Sequence, residues 1–400
     1  MPAPPNVTQS LELKQYFESQ DHLVRGTPEP SSRSQALIYR FKDHKWWIKV
    51  TLLGTLYQSS ETEAAQKIPK RERCREYQEF VNQINYRTLP LLDDTVSELV
   101  LENSPGMTNH IDLNVEARDS TNSLVIIAKS LSYRIQEDPL RVTYPSCCEF
   151  PSFRCIDWAA LEEEDEIADG VHRVCSKTAR VPYVLKVVNR PLYRPHDTNV
   201  IRKELENLER FKGVPGIVQP VAIAVSSNPY MTARTSDQPP VISGILLEFY
   251  SGGSLQRILK EDRVKEYPWT RWPIQIGTAL SHFHRAGQTH MDIKPANVVL
   301  DAQGNAVLID ISGASGITYS WRAPEIRPER SPFDLPFQAR LLHDVWAYGK
   351  VLSEIATRVG KCTLAETLLC IAGHLMEENP WSRMTLSEAI SQLSGYGNFN

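Results

Sequence analysis

Between residues 290 and 310 the chain gathers side chains suited to work on a charged group. The loop His290-Met-Asp-Ile-Lys-Pro-Ala-Asn297 offers a carboxylate at Asp292, an ammonium at Lys294 and an amide at Asn297. A second carboxylate, Asp310, follows in Leu-Ile-Asp-Ile-Ser-Gly. Asn297 and Asp310 lie on either side of a predicted hairpin. Further back, Tyr183-Val-Leu-Lys186-Val-Val sets an ammonium in the middle of an apolar strand, which is costly unless a partner is supplied.

The elements that must position these groups follow from periodicity. Trp272 to Arg285 carries an apolar helix pattern and ends in Ala-Gly-Gln-Thr. Val298–Leu300 and Ala306–Ile309 read as strands split by Asp-Ala-Gln-Gly-Asn. In this helix, loop and hairpin context, residues 290–297 resemble the catalytic loop of eukaryotic protein kinases, H-R-D-L-x-x-x-N, and Lys294-Pro295 is similar to its Ser/Thr version. The resemblance covers roughly residues 155–395 and is closest in flavour to divergent, fungal-type members. It implies an α+β, two-lobed fold: a β-rich lobe over residues 151–249 and a helical lobe over 250–400.

Phosphoryl transfer needs little covalent help, so each implied role is one of positioning or charge neutralisation. Asp292 would take the substrate hydroxyl proton, and Lys294 would sit by the transferring phosphate of ATP. Asn297 and Asp310 would bind Mg2+. Lys186 resembles the phosphate-binding lysine, and Arg202-Lys-Glu-Leu-Glu-Asn-Leu208 resembles the helix whose glutamate holds it. Glu204 fits that role better than Glu206, because Leu205 and Leu208 then fall on the packing face. Gly244-Ile-Leu-Leu247-Glu248-Phe-Tyr250-Ser-Gly-Gly-Ser254 is similar to the interlobe hinge. Leu247 would gate the adenine site, with Val174, Val184 and Val299 lining it. Backbone groups of Glu248 and Tyr250 would bond the adenine, and Ser254 would face the ribose. Structural roles fall to His290, to Thr318 as a brace for Asp292 and Lys294, to Asp344 as an anchor of the loop, and to a buried Glu325–Arg383 pair.

The sequence also departs from the family. Ile167-Ala-Asp-Gly170-Val-His-Arg-Val174 keeps one glycine of G-x-G-x-x-G-x-V, at Gly170, although glycines there let backbone N–H groups approach phosphates. Met291 replaces the arginine of H-R-D, which makes this a non-RD sequence. Retention of Asp292, Asn297, Asp310, Lys186 and Glu204 favours an ATP- and Mg2+-dependent protein Ser/Thr kinase. The poor glycine loop favours the alternative, a pseudokinase scaffold. A small-molecule phosphotransferase is a third reading, opposed by Lys294-Pro295 and Ala323-Pro324-Glu325.

Composition narrows the rest. Forty-four basic and 48 acidic residues in 400 give a net charge of -4, which argues against a nucleic-acid binder. No apolar run is long enough to span a membrane, and the first residues do not form a secretory signal, so an intracellular protein, cytoplasmic or nuclear, is the expectation. Seven cysteines without C-x-x-C spacing read as reduced thiols, Cys147-Cys148 included. His282, His284 and His290 offer a metal-site reading that the kinase frame absorbs. Residues 1–34 read as a disordered tail. Residues 35–150 read as an accessory α+β region that could hold a partner. It comprises a hairpin over Ala36–Tyr57, a helix-prone Glu61–Asn85 broken at Pro69, and strands over His110–Ala117 and Leu124–Arg134. The basic cluster Lys67–Arg75 and the acidic run Glu162–Glu166 both read as solvated.

Overall fold

The computed structural model describes every residue except 1–8, 26–28, 56–68, 104–108, 115–122, 179, 192, 234–237 and 398–400. Two units emerge. The first comprises residues up to Arg141 together with 227–238, and the second comprises Val142–Ser226 and Pro239 onward.

In the first unit, strands β1 (Gln9–Glu18), β2 (Ser32–Phe41), β3 (His44–Leu53), β4 (Val96–Glu102) and β5 (Ser132–Glu137) form one sheet in that order. A short helix α1 (Asp21–Arg25) follows β1. β3 and β4 are parallel, so a crossover is required, and α2 (Lys70–Gln83) lies within it. Tyr77, Phe80 and Val81 of α2 pack with Leu37, Ile48, Val50, Leu99 and Leu101 of the sheet. The β2–β3 hairpin turns through Lys42, whose φ is 54°. The segment 227–238 folds with this unit: Trp47 Nε1 donates to the Pro229 carbonyl at 3.0 Å, and Thr232 N to Asp94 Oδ1 at 2.9 Å.

Four expectations for this region need correction. His110–Asn114 forms no strand, pairing only through isolated bridges of His110 to Ser132 and Leu113 to Ile84. Residues 9–25 are ordered, not a tail, because Leu11, Leu13 and Tyr16 pack against the core through pairing with β2. Leu124–Arg134 is not one strand: α3 (Ser123–Ile127) and a 3-10 turn come first, burying Leu124 and Val125 on one face. The basic cluster is not wholly solvated, since Arg73 is buried and its Nη2 meets Glu18 Oε1 at 2.7 Å. Residues 61–68 of the predicted helix and 115–117 of the predicted strand lie outside the described residues.

The second unit begins with a six-stranded sheet in the order β6-β10-β11-β9-β8-β7. Its strands are β6 (Cys155–Asp157), β7 (Leu161–Ala168), β8 (Val171–Ser176), β9 (Pro182–Val187), β10 (Pro220–Ser226) and β11 (Val241–Glu248). α4 (His196–Arg210) follows β9. The helical half holds α5 (Leu255–Lys260), α6 (Trp272–Arg285), α7 (Phe337–Val359), α8 (Thr363–Leu375) and α9 (Leu386–Gly397). A small sheet joins β12 (Gly253–Ser254), just before α5, to β13 (Val298–Leu300) and β14 (Ala306–Leu308), which lie between α6 and α7 in the chain. This is the strand-rich and helix-rich pair of lobes expected of the fold. α7 carries the longest buried face, from His343 through Val359. Among the described residues no helix is long and apolar enough to cross a membrane, and all seven cysteines are free.

The acidic run is itself the edge strand β7, with charges exposed on both faces, a usual means of blunting a sheet edge. The expected boundary at residue 150 also moves. Phe150 is buried in the core of the second unit, Thr198 Oγ1 donates to the Thr143 carbonyl at 2.8 Å, and Ile242 N donates to the Pro145 carbonyl at 2.8 Å. A fragment starting at residue 151 should therefore be less stable than one starting at 142. Burial of one Phe contributes about 1.5–3 kcal/mol and each hydrogen bond about 1 kcal/mol. Equal denaturant midpoints for the two fragments would refute this.

Candidate active site

Asp292 sits at the centre of the loop after α6. Its Oδ1 accepts the Thr318 backbone N–H at 3.0 Å, and its Oδ2 accepts Lys294 Nζ at 2.5 Å and Asn297 Nδ2 at 3.0 Å. Lys294 Nζ also donates to Thr318 Oγ1 at 2.8 Å. Asn297 Nδ2 spends its other proton on the Asp292 carbonyl at 2.8 Å, which leaves the Asn297 amide oxygen outside these bonds. Asp310 ion-pairs with Lys186, whose Nζ meets Glu204 Oε1 at 2.6 Å, while Glu206 is exposed. Burial would lower the Lys186 ammonium, but the Asp310 and Glu204 carboxylates raise it well above its ordinary value. Burial would likewise raise Asp310, yet Lys186 holds it below the usual carboxylate range. The site therefore carries a fixed ammonium and a fixed carboxylate at neutral pH.

The loop is held from beneath by α7. Asp344, fully buried, accepts the backbone N–H groups of His290 and Met291, each at 2.8 Å, and meets His284 Nε2 at 3.1 Å. His290 Nε2 lies 2.9 Å from the Ile309 carbonyl. Met291 and Asp310 have φ of 67° and 60°, left-handed conformations that non-glycine residues hold only where the surroundings impose them. Arg383 forks onto Glu325 with contacts of 2.7 and 2.8 Å.

On the roof, Leu247 faces Val184, and Ile245 faces Lys186, in the β11–β9 register. Two expectations fail here. Val174 is on the far face of β8, packed with Leu185, Ala224 and Leu246, and does not share a face with Lys186. The residues sharing a face with Lys186 and Val184 are Val171 and Arg173. Gly170 (φ 69°) is buried in a two-residue turn, where an added Cβ would stand 2.6 Å from Arg190 Cβ. Turn geometry and this close approach require the glycine there, and no open glycine loop exists. Arg173 instead forms an ion pair with Glu164 at 2.6 Å and stands 5.9 Å from the centre of the Phe249 ring in the hinge. Ser254 is an N-cap, its Oγ accepting Arg257 N at 3.3 Å. Val299 pairs with Ser254 and packs on the core. Among the described residues the Tyr250 N–H donates to nothing, so one hinge donor is open, while the Glu248 N–H is taken by the Gln219 carbonyl at 3.1 Å.

Three positioning residues escaped sequence reasoning. Asn207, one turn beyond Glu204, donates from Nδ2 to the Ile311 carbonyl at 2.7 Å, tying α4 to the segment after Asp310. Gln219 caps four backbone groups below the hinge, accepting from Gly213 N at 2.6 Å and donating to Ile217 O at 2.8 Å among them. His343 accepts the Ala323 N–H at Nδ1 (3.3 Å) and lies 3.0 Å from the Met291 carbonyl through Nε2. Only the first, spaced three residues from Glu204 on a helix, left a signal.

His343 also predicts a pH dependence. Burial holds its ring below the ordinary value of 6.5. A depressed folded pKa means the unfolded chain binds the proton first, so the contribution is complete above about pH 6.5 and is lost as pH falls. Unfolding free energy should fall below about pH 6.5 by at most about 1.4 kcal/mol per pH unit from this group. His343→Gln should flatten that limb. A stability flat from pH 7 to 5 in the native chain would contradict it.

Among the described residues no cluster of three or more His, Cys, Asp or Glu side chains could hold a metal by itself, and His284 and His290 are engaged as above. Asn297 and Asp310 are two hard donors, a set that fits Mg2+ carried largely by phosphates.

A model of the protein kinase domain matches residues 169–366. The chain is 30% identical over 145 residues to a putative serine/threonine-protein kinase/receptor R826 of Acanthamoeba polyphaga mimivirus, covering 32% of this chain and 8% of that protein. It is 30% identical over 125 residues to the mitogen-activated protein kinase kinase kinase YODA of Arabidopsis thaliana, covering 28% and 14%. Against the serine/threonine-protein kinase Nek3 of Mus musculus it is 28% identical over 153 residues, covering 36% and 27%. The matched part thus spans less than a third of each of these relatives.

Proposed function

Residues 169–366 belong to the protein kinase family, and from that premise we propose that the chain is an ATP- and Mg2+-dependent protein serine/threonine kinase. The observation that carries the reading is the joined constellation of Lys186, Glu204 and Asp310 above, and Asp292, Lys294, Asn297 and Thr318 below. Asp292 takes the proton of a serine or threonine hydroxyl as that oxygen bonds to the γ-phosphorus. The bond from phosphorus to the bridging oxygen breaks, and ADP departs with the electron pair. Lys294, pinned between Asp292 and Thr318, neutralises charge on the transferring group. Mg2+, held by Asn297 and Asp310, would neutralise charge on the phosphates. Lys186 holds phosphate oxygens, and the Tyr250 N–H receives the adenine edge.

Activation should not need phosphorylation of the segment after Asp310. Met291 offers no donor to a phosphate, and Ser312 is buried with its Oγ accepting Ala314 N at 3.2 Å. Residues 35–150 are then a candidate partner-binding region, and the protein works inside the cell. The tight turn at Gly170 and the acidic strand above the cleft favour one second reading, a nucleotide-binding scaffold without turnover.

The test combines binding and product. MgATP at ~100 times Kd should stabilise the fold by about 2.7 kcal/mol, and ATP with a chelator should not. Asp310→Asn should lose that shift, and the transferred phosphate should appear on serine and threonine. A full shift in Asp310→Asn, or phosphotyrosine as the main product, would refute the assignment.

A further inference from the structure

Beside the catalytic loop opens a cavity of about 490 Å3 whose lining includes Lys260, Lys294, Trp321, Glu354 and Arg358. Lys260 ends α5, and Glu354 and Arg358 stand one turn apart on α7. The walls are unevenly charged. Lys294 is committed to Asp292 and Thr318. Lys260 and Arg358 are exposed, and neither has a carboxylate within 4 Å among the described residues. Among the described residues Glu354 is the one carboxylate in the lining. At the rim, Lys350 stands 4.5 Å over the Trp321 ring and donates to the Ser320 carbonyl at 2.6 Å, adding a third cation.

We propose that this cavity receives acidic residues flanking the acceptor hydroxyl, so that the substrates are acidic protein segments. The inference rests on the kinase reading above. A chain whose hydroxyl lies at Asp292 must pass Lys294, Pro295 and Trp321, and these residues wall the cavity. A flanking residue a few positions away therefore enters between Lys260 and Arg358. A carboxylate there gains two unpaired cations. A lysine or arginine would meet them as like charges, and an apolar side chain would strip water from them without return. Glu354 is partly screened by Lys350 and Arg358, which act on its carboxyl against the upward push of burial, and it is outnumbered by the cations around it.

The test uses the full chain and three peptides with one common serine acceptor and acidic, neutral or basic flanks. Two solvent-facing contacts, each of ordinary surface strength, should raise kcat/KM for the acidic peptide about 3- to 20-fold over the neutral one, chiefly through KM. The preference should shrink at high salt, since the contacts are screened. A Lys260→Glu/Arg358→Glu double variant should lose or invert the preference while turning over the neutral peptide at the native rate. Equal use of all peptides, a basic preference, or an acidic preference unchanged in the double variant would overturn the inference and leave the kinase reading standing. Phosphorylation of none of them by the native chain would overturn both.

Discussion

Asp292→Ala should lower the turnover of phosphate transfer by about 10²–10⁴, the range for removal of one positioned acid–base group. That is about 2.7–5.5 kcal/mol of barrier, at about 1.4 kcal/mol per factor of ten. No other group can take over, because Lys294 is a cation already bonded to Asp292 and Asn297 offers only an amide. Asp292→Asn separates chemistry from shape: the amide keeps the contact to the Thr318 N–H and cannot take a proton. Both variants should still bind MgATP, since Lys186, Asp310 and the hinge are untouched. Turnover within tenfold of the native rate in Asp292→Asn would remove Asp292 from the reaction.

The second large effect is on stability. Asp344→Ala should destabilise the second unit by about 3–5 kcal/mol, the cost of breaking a buried, hydrogen-bonded charge site. The change strands the N–H groups of His290 and Met291 and the ring of His284, all of which this one carboxylate satisfies. It also removes the restraint on the left-handed backbone at Met291. At about 2–4 °C per kcal/mol for a domain of this size, melting should fall by about 6–20 °C. Asp344→Asn keeps one acceptor and should lose less. A melting point within two degrees or so of the native one in Asp344→Ala would refute the anchor.

The residues from His290 to Asn297 were legible because chemistry, turn and flanking elements lie within a short stretch of chain. The helical and strand halves followed from the family resemblance, and α6 and β13–β14 fall where the apolar pattern put them. Val174 was not legible. The turn at Asp169-Gly170 is tighter than the family loop, and a shift of one residue in a strand moves a side chain to the opposite face. β1 escaped because its sequence is polar on the exposed side and is ordered by pairing with β2, a contact that no local pattern encodes. His343 and Gln219 act through backbone groups distant in the chain, so their types alone carried no signal. The start of the second unit at residue 142 likewise depends on Phe150 finding a core built from residues beyond 188.

The most direct measurement is the transfer of labelled γ-phosphate from ATP to a serine peptide by the full chain, with Mg2+ and with a chelator, alongside a melting curve of the same sample. The account predicts Mg2+-dependent incorporation on serine together with a MgATP-induced rise in melting temperature. A rise without any incorporation would contradict it and leave a nucleotide-binding scaffold in its place.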